Sequence, residues 1–395
     1  MRGPTVDLIR VMPAEENEAM QSAAFGPEAV FYLGRGDPAE GCAPGRMIMK
    51  AIRLIPILMT ALILSCCGSK AEEPVVITVM THDSFSIGEN VVADFEKAHG
   101  VKLKFLKSGD AGAALNQAIL SKDNPMADVF FGVDNTFLTR ALKADIFQPY
   151  DSPMLAKVDP ALMLDPEKRL LPVDYGDVCL NYDKAWFADK KLSPPENLES
   201  LAAPEYKNLT VVENPATSSP GLAFLLATVG TYGDPGYLDY WKRLKDNGVL
   251  VTNGWDDAYY GHFTAASKGD RPIVVSYASS PPAAVHFSEK PLDDAPTASV
   301  VAPGTYFRQI EFVGILKGTK HEELARKLVD FMLDKTFQED IPLQMFVFPA
   351  NRDAKLPEVF VKYAQKAPFG QQVSPDQIAA NRDKWIQAWT DAVLR

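Results

Sequence analysis

Strands and helices alternate along the body of this chain, and that order limits the fold more than any other feature. An apolar run at residues 75–80 is followed by helical spacing over 87–99, where Gly100 suits a helix C-cap. A strand at 101–106, a helix at 111–120 and a strand at 127–133 come next. This β-α-β-α-β order predicts an α/β fold with a mostly parallel, doubly wound sheet.

A second unit of the same kind follows. Its strands are predicted at 180–182, 209–212 and 273–276. Its helices are predicted at 221–231, 236–245 and 258–267, and further helices close the chain at 322–333 and 375–394. Because 395 residues are enough for two or three domains, we expect two α/β lobes.

Charge and motif content exclude several classes of function. The chain has 40 Lys and Arg against 51 Asp and Glu, a net charge of −11, so it lacks the basic face that a nucleic-acid partner requires. It contains no G-x-S-x-G, Walker or H-E-x-x-H motif, and its five histidines are too scattered for a metal site. We therefore predict no catalytic residues, no metal and no cofactor.

The N-terminal region carries an export signal. A short apolar stretch at 54–65 follows Lys50 and Arg53, and it is too short for a bilayer span of about 20 residues. Its end resembles the lipobox of bacterial lipoproteins, which identifies Cys66, or as a second choice Cys67, as the lipidated residue. The alternative is a buried core helix.

These features divide the first part of the chain into three segments. We expect a lipoprotein signal peptide at 47–65 and a linker at 66–73. Residues 1–46 are then a leader translated from the wrong start codon, with Met47 or Met49 as the true start, or a disordered extension. Mass spectrometry that finds a peptide from 1–46 would contradict the first of these two hypotheses.

Candidate ligand-binding residues follow the predicted strands, because open α/β sheets bind ligands at the carboxyl ends of their strands. Four strand exits and the turn before the helix predicted at 258–267 carry polar or aromatic residues: His82, Asp83, Ser84, Asp134, Asn135, Ser218, Ser219, Trp255, Tyr277 and Ser279.

Each candidate also has a purely structural interpretation. Asp83, Ser84, Asp134 and Asn135 are residue types that cap helices, and Ser219 with Pro220 suits a helix start, although an uncovered helix start also binds anions. Trp255 is of a type usually found in cores, but its position between Asn-Gly and Asp-Asp indicates a turn.

Seven motifs in order resemble the periplasmic thiamine-binding proteins of ABC importers, which have the type II periplasmic binding-protein fold. The motifs are THDSF, DVFFGVDN, LPVDYG, NPATSSPGLAFLL, NGWDDAYYGHF, VVSYASSPPA and NRDKWIQAWTDAV, and the resemblance runs from about residue 75 to 395. It implies lobe I at 74–172 plus 296–335, lobe II at 173–295 plus 336–395, and hinge strands that cross between them.

The resemblance also implies a function. The receptor would be a monomer, periplasmic or at the cell surface, held to the membrane by its lipid anchor. It would close on thiamine or a thiamine phosphate and deliver the ligand to an ABC permease and its ATPase. Thiamine is a cation with two aromatic rings, so aromatic walls and carboxylates would suit it.

Roles for individual residues follow from the same resemblance. Trp255 and Tyr277 would stack on the ligand rings, and Asp83 and Asp134 would supply negative charge. Ser218 would receive the hydroxyethyl end or its phosphate. The remaining predicted ligand-binding residues are His82, Ser84, Asn135, Tyr175, Ser219 and Ser279, where His82 replaces a tyrosine of the family and the tryptophan expected shortly after it is missing.

Other receptors of the same fold are the alternatives. Ferric-ion receptors use two adjacent tyrosines at the strand exit where this chain has Tyr277 and Ala278, so one ligand is lost. The pair Tyr259 and Tyr260 lies instead in the helix predicted after Trp255. Sulfate and polyamine receptors share the fold, and a secreted hydrolase with an unfamiliar site is a third class.

Overall fold

The computed structural model describes residues 74–288, 291–368 and 373–395. The predicted leader, the signal peptide, the linker and both Cys66 and Cys67 lie outside the described residues. Within the described ranges, no helix has the length and apolar character to cross a membrane.

Within these residues, eleven strands form one sheet. They are β1 (Val75–Thr81), β2 (Val101–Lys107), β3 (Val129–Asp134), β4 (Phe147–Gln148), β5 (Leu171–Asp183), β6 (Thr210–Glu213), β7 (Leu250–Thr252), β8 (Ile273–Tyr277), β9 (Thr297–Val300), β10 (Phe307–Leu316) and β11 (Phe348–Pro349).

Helices alternate with these strands along the chain. They are α1 (Glu89–His99), α2 (Ala111–Leu120), α3 (Leu138–Lys143), α4 (Lys184–Lys190), α5 (Leu198–Ala202), α6 (Ser219–Tyr232), α7 (Gly236–Asp246), α8 (Pro281–His286), α9 (Glu322–Leu333), α10 (Lys335–Gln344), α11 (Glu358–Tyr363) and α12 (Pro375–Val393). A π-helix spans Asp257–His262, and short 3₁₀ turns lie at Pro153–Lys157, Pro160–Leu162 and Pro204–Tyr206.

The sheet is mixed, which corrects the expectation of a mostly parallel one. Its main order is β2-β1-β3-β10-β5-β8-β6-β7, with β4, β9 and β11 pairing off this path. The pairs β1–β2, β1–β3, β6–β7 and β6–β8 are parallel. The two central strands, β5 and β10, run antiparallel to each other and to the strands beside them, because the chain crosses there between the two parallel portions. We call β5 and β10 the crossing strands.

Each parallel portion has a core that its sequence pattern explains. In β1, Ile77 and Val79 are buried in the same apolar cluster as Val91 and Phe95, which lie on one face of α1 at helical spacing. In the second portion, α6 is apolar on all sides and is buried along most of its length. The ring of Trp389 from α12 packs edge-on against Trp241 of α7, with 5.4 Å between the ring centroids.

Some elements differ from the sequence prediction in position or length. The strand expected at 180–182 is the end of the 13-residue β5. The helix expected at 258–267 is only the π-helix Asp257–His262. Ser218, not Ser219, caps α6, because the Ser218 hydroxyl accepts from the Gly221 N–H at 3.4 Å.

Two segments pack differently from the predicted lobe division. Strand β9 pairs with the part of β5 that adjoins β8, which belongs to the second lobe. Helix α10, which the prediction assigns to lobe II, instead contacts lobe I. Its Asp340 carboxylate accepts a hydrogen bond from the Gly88 N–H at 2.7 Å. The lobe boundaries remain a prediction.

Candidate functional site

The segments that follow strands of the two portions meet beside the crossing strands; we call this junction the cleft and the crossing strands its floor. The two sides are in direct contact: the Gly112 N–H donates to the Thr217 carbonyl at 3.0 Å. The Ser84 hydroxyl donates to the Asp256 carboxylate at 2.8 Å. The structure is therefore that of a closed cleft.

Asp110 is a cleft residue that sequence reasoning missed. It caps α2 by accepting from the Ala111 N–H at 2.6 Å, and it also accepts from the Trp255 N–H at 3.1 Å. Burial raises its pKa to about 6, against hydrogen bonds that favour the charged form. Asp110 also follows a strand, β2, so the strand-exit argument could have found it.

Asp134 lies fully buried at the end of β3. Its carboxylate accepts from the Thr136 N–H at 2.6 Å and from the Ser219 hydroxyl on the opposite side of the cleft. Burial raises the pKa of this carboxyl. Helix α3 begins only at Leu138, so Asp134 forms a local turn and a contact across the cleft, and it does not cap the helix.

The floor carries a set of polar side chains from both crossing strands. Glu311 of β10 lies opposite Asp174 of β5 in the antiparallel register. The Gln309 amide Nε2 donates to the Tyr277 hydroxyl at 3.0 Å and to Glu311 Oε1 at 3.3 Å. Gly176 is required beneath Tyr277, because a Cβ there would lie 2.7 Å from the Tyr277 ring. The predicted residue Tyr277 thus stands on a floor of acidic and amide groups.

The carboxyl groups on and beside this floor have raised pKa values. Burial raises the pKa of Asp174 to about 8, and burial together with the Asp174 charge raises the pKa of Glu311 well above its usual range. Glu213, at the end of β6, is fully buried, and burial followed by the charge of Asp110 raises its pKa as well. Burial and then the charge of Lys107 lower the pKa of His82 to about 4, so His82 is neutral at pH 7 although its Nε2 lies 3.5 Å from Glu311 Oε1.

Trp255 forms an aromatic wall with two tyrosines. Its indole stacks on Tyr259 with ring centroids 4.7 Å apart and meets Tyr260 edge-on at 5.5 Å. The indole N–H donates to the Ser276 hydroxyl at 3.0 Å, one residue before Tyr277. Trp255 is half-buried, and Tyr260 keeps 53% of its surface exposed.

Several predicted residues have other partners. Both polar atoms of the Asn135 side-chain amide bind the backbone of β10. Its Nδ2 donates to the Arg308 carbonyl and its Oδ1 accepts from the Ile310 N–H, each at 3.0 Å. The Asp83 carboxylate accepts from the Gly109 N–H at 2.9 Å. Ser279 is fully buried, and its hydroxyl has no hydrogen-bond partner within the described residues.

Tyr175 points away from the floor. Successive side chains alternate across a strand, so Tyr175 lies on the face of β5 opposite to Asp174. Its ring stacks on Phe348 with centroids 5.4 Å apart, and the cations of Arg308 and Lys366 lie 5.2 Å and 5.4 Å from its centroid. The structure thus separates Tyr175 from the other predicted site residues.

Comparisons with known proteins agree with this architecture. Residues 124–371 match the family model described as bacterial extracellular solute-binding protein. The chain is 33% identical over 338 residues to the thiamine-binding periplasmic protein of Salmonella typhimurium, covering 84% of this chain and 98% of that protein. The chain belongs to the bacterial extracellular solute-binding proteins, among the thiamine-binding periplasmic proteins.

Solved structures give the same result for the fold. A structure described as a periplasmic thiamin binding protein superposes with a TM-score of 0.71 at 30% identity, covering 82% of this chain and 97% of that chain. The type II periplasmic binding-protein fold with crossing strands is confirmed. A ferric binding protein from Campylobacter jejuni has a TM-score of 0.65 at 18% identity, covering 80% and 99% of the two chains, and shares the fold alone.

Proposed function

We propose that this chain captures thiamine, or a thiamine phosphate, in the cleft and delivers it to an ABC permease and its ATPase. The observation that carries the proposal is the buried acidic character of the cleft, to which Asp110, Asp134, Asp174, Glu213 and Glu311 contribute. Within the described residues, none of these five carboxylates forms a salt bridge with Lys or Arg. A bound organic cation would favour the ionised form of these carboxyls and pair with it.

Aromatic groups beside these carboxylates support a ligand that is flat as well as charged. Tyr277 stands on the floor, and Trp255 with Tyr260 forms the wall. Cation–π contacts of this kind contribute about 2 kcal/mol when they are desolvated. The relatives named as thiamine-binding periplasmic proteins support the same ligand.

Ferric ion is the second candidate, from the shared fold. Within the described part of the chain, no group of three or more His, Cys, Asp or Glu side chains is arranged to hold a metal ion. The residue after Tyr277 is alanine, which leaves a single tyrosine at this strand exit.

Isothermal titration calorimetry of the mature chain tests the proposal. Separate titrations would use thiamine, its monophosphate, its diphosphate and ferric citrate. We expect one thiamine site per chain and no heat from ferric citrate beyond dilution. Saturable ferric binding without thiamine binding would overturn the proposal.

The proposal also covers where the protein acts, its oligomeric state and its attachment to the membrane. By analogy with the relatives named as periplasmic, the mature chain would act outside the cytoplasm as a monomer, anchored through Cys66 or, failing that, Cys67. Metabolic labelling with a radioactive fatty acid should mark the wild-type chain, and the Cys66→Ala variant should lose the label. Retention of the label by Cys66→Ala and its loss by Cys67→Ala would move the anchor by one residue.

A further inference from the structure

Three helices from the two portions of the molecule converge on the ring of Phe137. Phe137 precedes α3, and a Cβ on Gly112 of α2 would lie only 2.8 Å from its Cζ, so α2 and α3 of the first portion meet at this ring. The Arg382 guanidinium of α12 lies over the same ring, 4.4 Å from its centroid. Since α12 packs on α7 through Trp389, this cation–π contact joins the second portion to the first.

Arg382 is a buried cation with an unused donor. It is 8% exposed, and its Nε has no hydrogen-bond partner within the described residues. Its Nη1 pairs with the adjacent Asp383, whose side chain is 90% exposed, so that the pair is weakened by water. A buried N–H of a charged group is costly unless an acceptor reaches it.

Arg140 brings a second guanidinium to this place. It lies on α3 one turn after Phe137, and its Nη2 donates to Oδ1 of Asn116 on α2. Within the described residues, Arg140 forms no salt bridge with a carboxylate. Because Asn116 accepts through its oxygen, its NH₂ group adds further donors to the place. Burial and then the charge of Arg140 lower the pKa of Arg382.

The nearby carboxyl groups do not neutralise the two arginines. Asp134 acts on Arg382 through its charge, but the Asp134 carboxyl already accepts from the Thr136 N–H and the Ser219 hydroxyl, and burial raises its pKa. The other carboxylate is the exposed Asp383. The place is therefore rich in donors and positive charge, and solvent reaches it beside Asp383.

We infer that Asn116, Arg140 and Arg382 form a site for a small oxyanion such as inorganic phosphate. Guanidinium groups match the spacing of phosphate oxygens, and the anion would supply the acceptor that the Arg382 Nε lacks. A free ion suits the site better than an acidic side chain of a partner protein, because Arg382 lies beneath the surface.

Occupancy of this site should favour the closed form. Asn116 and Arg140 belong to the first portion and Arg382 to the second, so closure brings two guanidinium groups together and the anion offsets their repulsion. An anion that prefers the closed form must, by linkage, strengthen any ligand that also prefers it. This effect on thiamine rests on the proposed function, whereas phosphate binding itself does not.

Isothermal titration calorimetry with inorganic phosphate tests the site. We expect one phosphate site per chain, with a dissociation constant of about 1 mM. The presence of about 10 mM phosphate should tighten thiamine binding about threefold, relative to sodium chloride of the same ionic strength.

Two substitutions on different portions locate the site. Arg382→Gln and Arg140→Gln should each weaken phosphate binding about tenfold or more and remove the effect of phosphate on thiamine affinity. Arg382→Lys keeps the charge but loses the fork, so its loss should be smaller than that of Arg382→Gln. Thermal unfolding checks the fold, and the partly exposed Arg140 provides the test if Arg382→Gln does not fold.

Arg395→Gln is the matched control. It removes the same charge from an arginine whose side chain is 71% exposed and pairs with Asp391 at the end of the chain. This variant should keep wild-type phosphate binding and the wild-type effect of phosphate on thiamine affinity.

The outcomes separate this inference from the proposed function. Phosphate binding that survives in both Arg382→Gln and Arg140→Gln would overturn the site, as would the absence of saturable phosphate binding to wild-type protein. Phosphate binding that leaves thiamine affinity unchanged would refute the coupling to closure. Absence of thiamine binding with phosphate binding intact would refute the proposed function alone.

Discussion

The Asp110 carboxylate, at the start of α2, accepts a hydrogen bond from the backbone N–H of Trp255, 145 residues later in the chain. The same carboxylate caps α2 through the Ala111 N–H. One side chain therefore fixes a helix in the first portion and holds the aromatic wall of the second. Substitutions of Asp110 can therefore distinguish the effect of its charge on ligand affinity from the effect of its capping hydrogen bond on stability.

Asp110→Asn should weaken thiamine binding about tenfold or more, because it removes a charge near the cation while asparagine still caps helices well. The free energy of unfolding should change by less than about 1 kcal/mol. Calorimetry and urea denaturation measure the two effects. Asp110→Ala, which also loses the cap, should be less stable than Asp110→Asn by about 1 kcal/mol. Unchanged affinity in both variants would remove Asp110 from the site.

Trp255→Ala and Tyr277→Ala should each weaken thiamine binding about tenfold or more, because each removes an aromatic face worth about 2 kcal/mol to a desolvated cation. Calorimetry gives the affinities, and circular dichroism verifies the fold. Trp186→Ala is the control, since the Trp186 ring on α4 packs against Phe187 rather than the cleft. If both cleft variants retain wild-type affinity, the aromatic assignment fails.

Gly176→Ala should reduce thiamine affinity by displacing Tyr277, because the added Cβ would lie 2.7 Å from the Tyr277 ring. We expect a loss of about tenfold, a binding free-energy change of about 1.4 kcal/mol. Gly236→Ala is the matched control, since its Cβ would lie at an ordinary 3.7 Å from Tyr232. Wild-type affinity in Gly176→Ala would show that Tyr277 need not stay in place.

Asn135→Ala should affect stability through the sheet. The Asn135 side chain satisfies the Arg308 carbonyl and the Ile310 N–H of β10, and its loss leaves two backbone groups without this partner. The free energy of unfolding should fall by about 2 kcal/mol, measured by urea denaturation. A thiamine affinity within about threefold of wild type is expected for the folded variant. A large loss of affinity with unchanged stability would restore Asn135 as a ligand-binding residue.

The stability of the closed cleft in the ligand-free protein should depend on pH. Burial raises the pKa of Asp110 to about 6 and that of Asp174 to about 8, so their stabilisation of the closed form is complete below their ordinary pKa of 3.8 and is lost as the pH rises through these values. The pKa of His82 is lowered to about 4, so its contribution is present above 6.5 and is lost only as the pH falls through about 4.

Small-angle X-ray scattering of the ligand-free protein tests this dependence. The radius of gyration should be larger at pH 8.5 than at pH 5, since ionised carboxylates at about pH 8 repel one another across the cleft. Saturating thiamine at pH 8.5 should restore the smaller value. Asp174→Asn should show a smaller change with pH than wild type. An identical radius at both pH values would contradict the prediction.

The spacing of apolar residues along the sequence correctly predicted several helices. The helices at Ala111–Leu120 and Glu322–Leu333 lie where helical spacing placed them. The floor was not predicted, because Asp174 and Glu311 meet only through the antiparallel register of two strands far apart in the sequence. The sequence signal that could have indicated this floor was the presence of charged residues inside the otherwise apolar strands at 171–183 and 307–316.

The placement of Tyr175 shows a second limit of sequence reasoning. The resemblance made this residue a ligand-binding candidate, and it lies on the crossing strand β5. Which face of a strand a side chain occupies depends on the register, and a shift by one residue reverses it. Without the pairing of β5, the sequence could not separate Tyr175 from Asp174.

The crossing strands belong equally to both portions of the molecule, and this has a consequence for the order of capture. The direct pairing of β5 with β10 holds their side chains together independently of the contacts between the two portions. We therefore expect a ligand that enters the open receptor to meet Asp174, Gln309 and Glu311 already assembled, and to meet the aromatic wall only afterwards. Release to the permease would run in the reverse sequence, with the acidic floor as the last point of attachment.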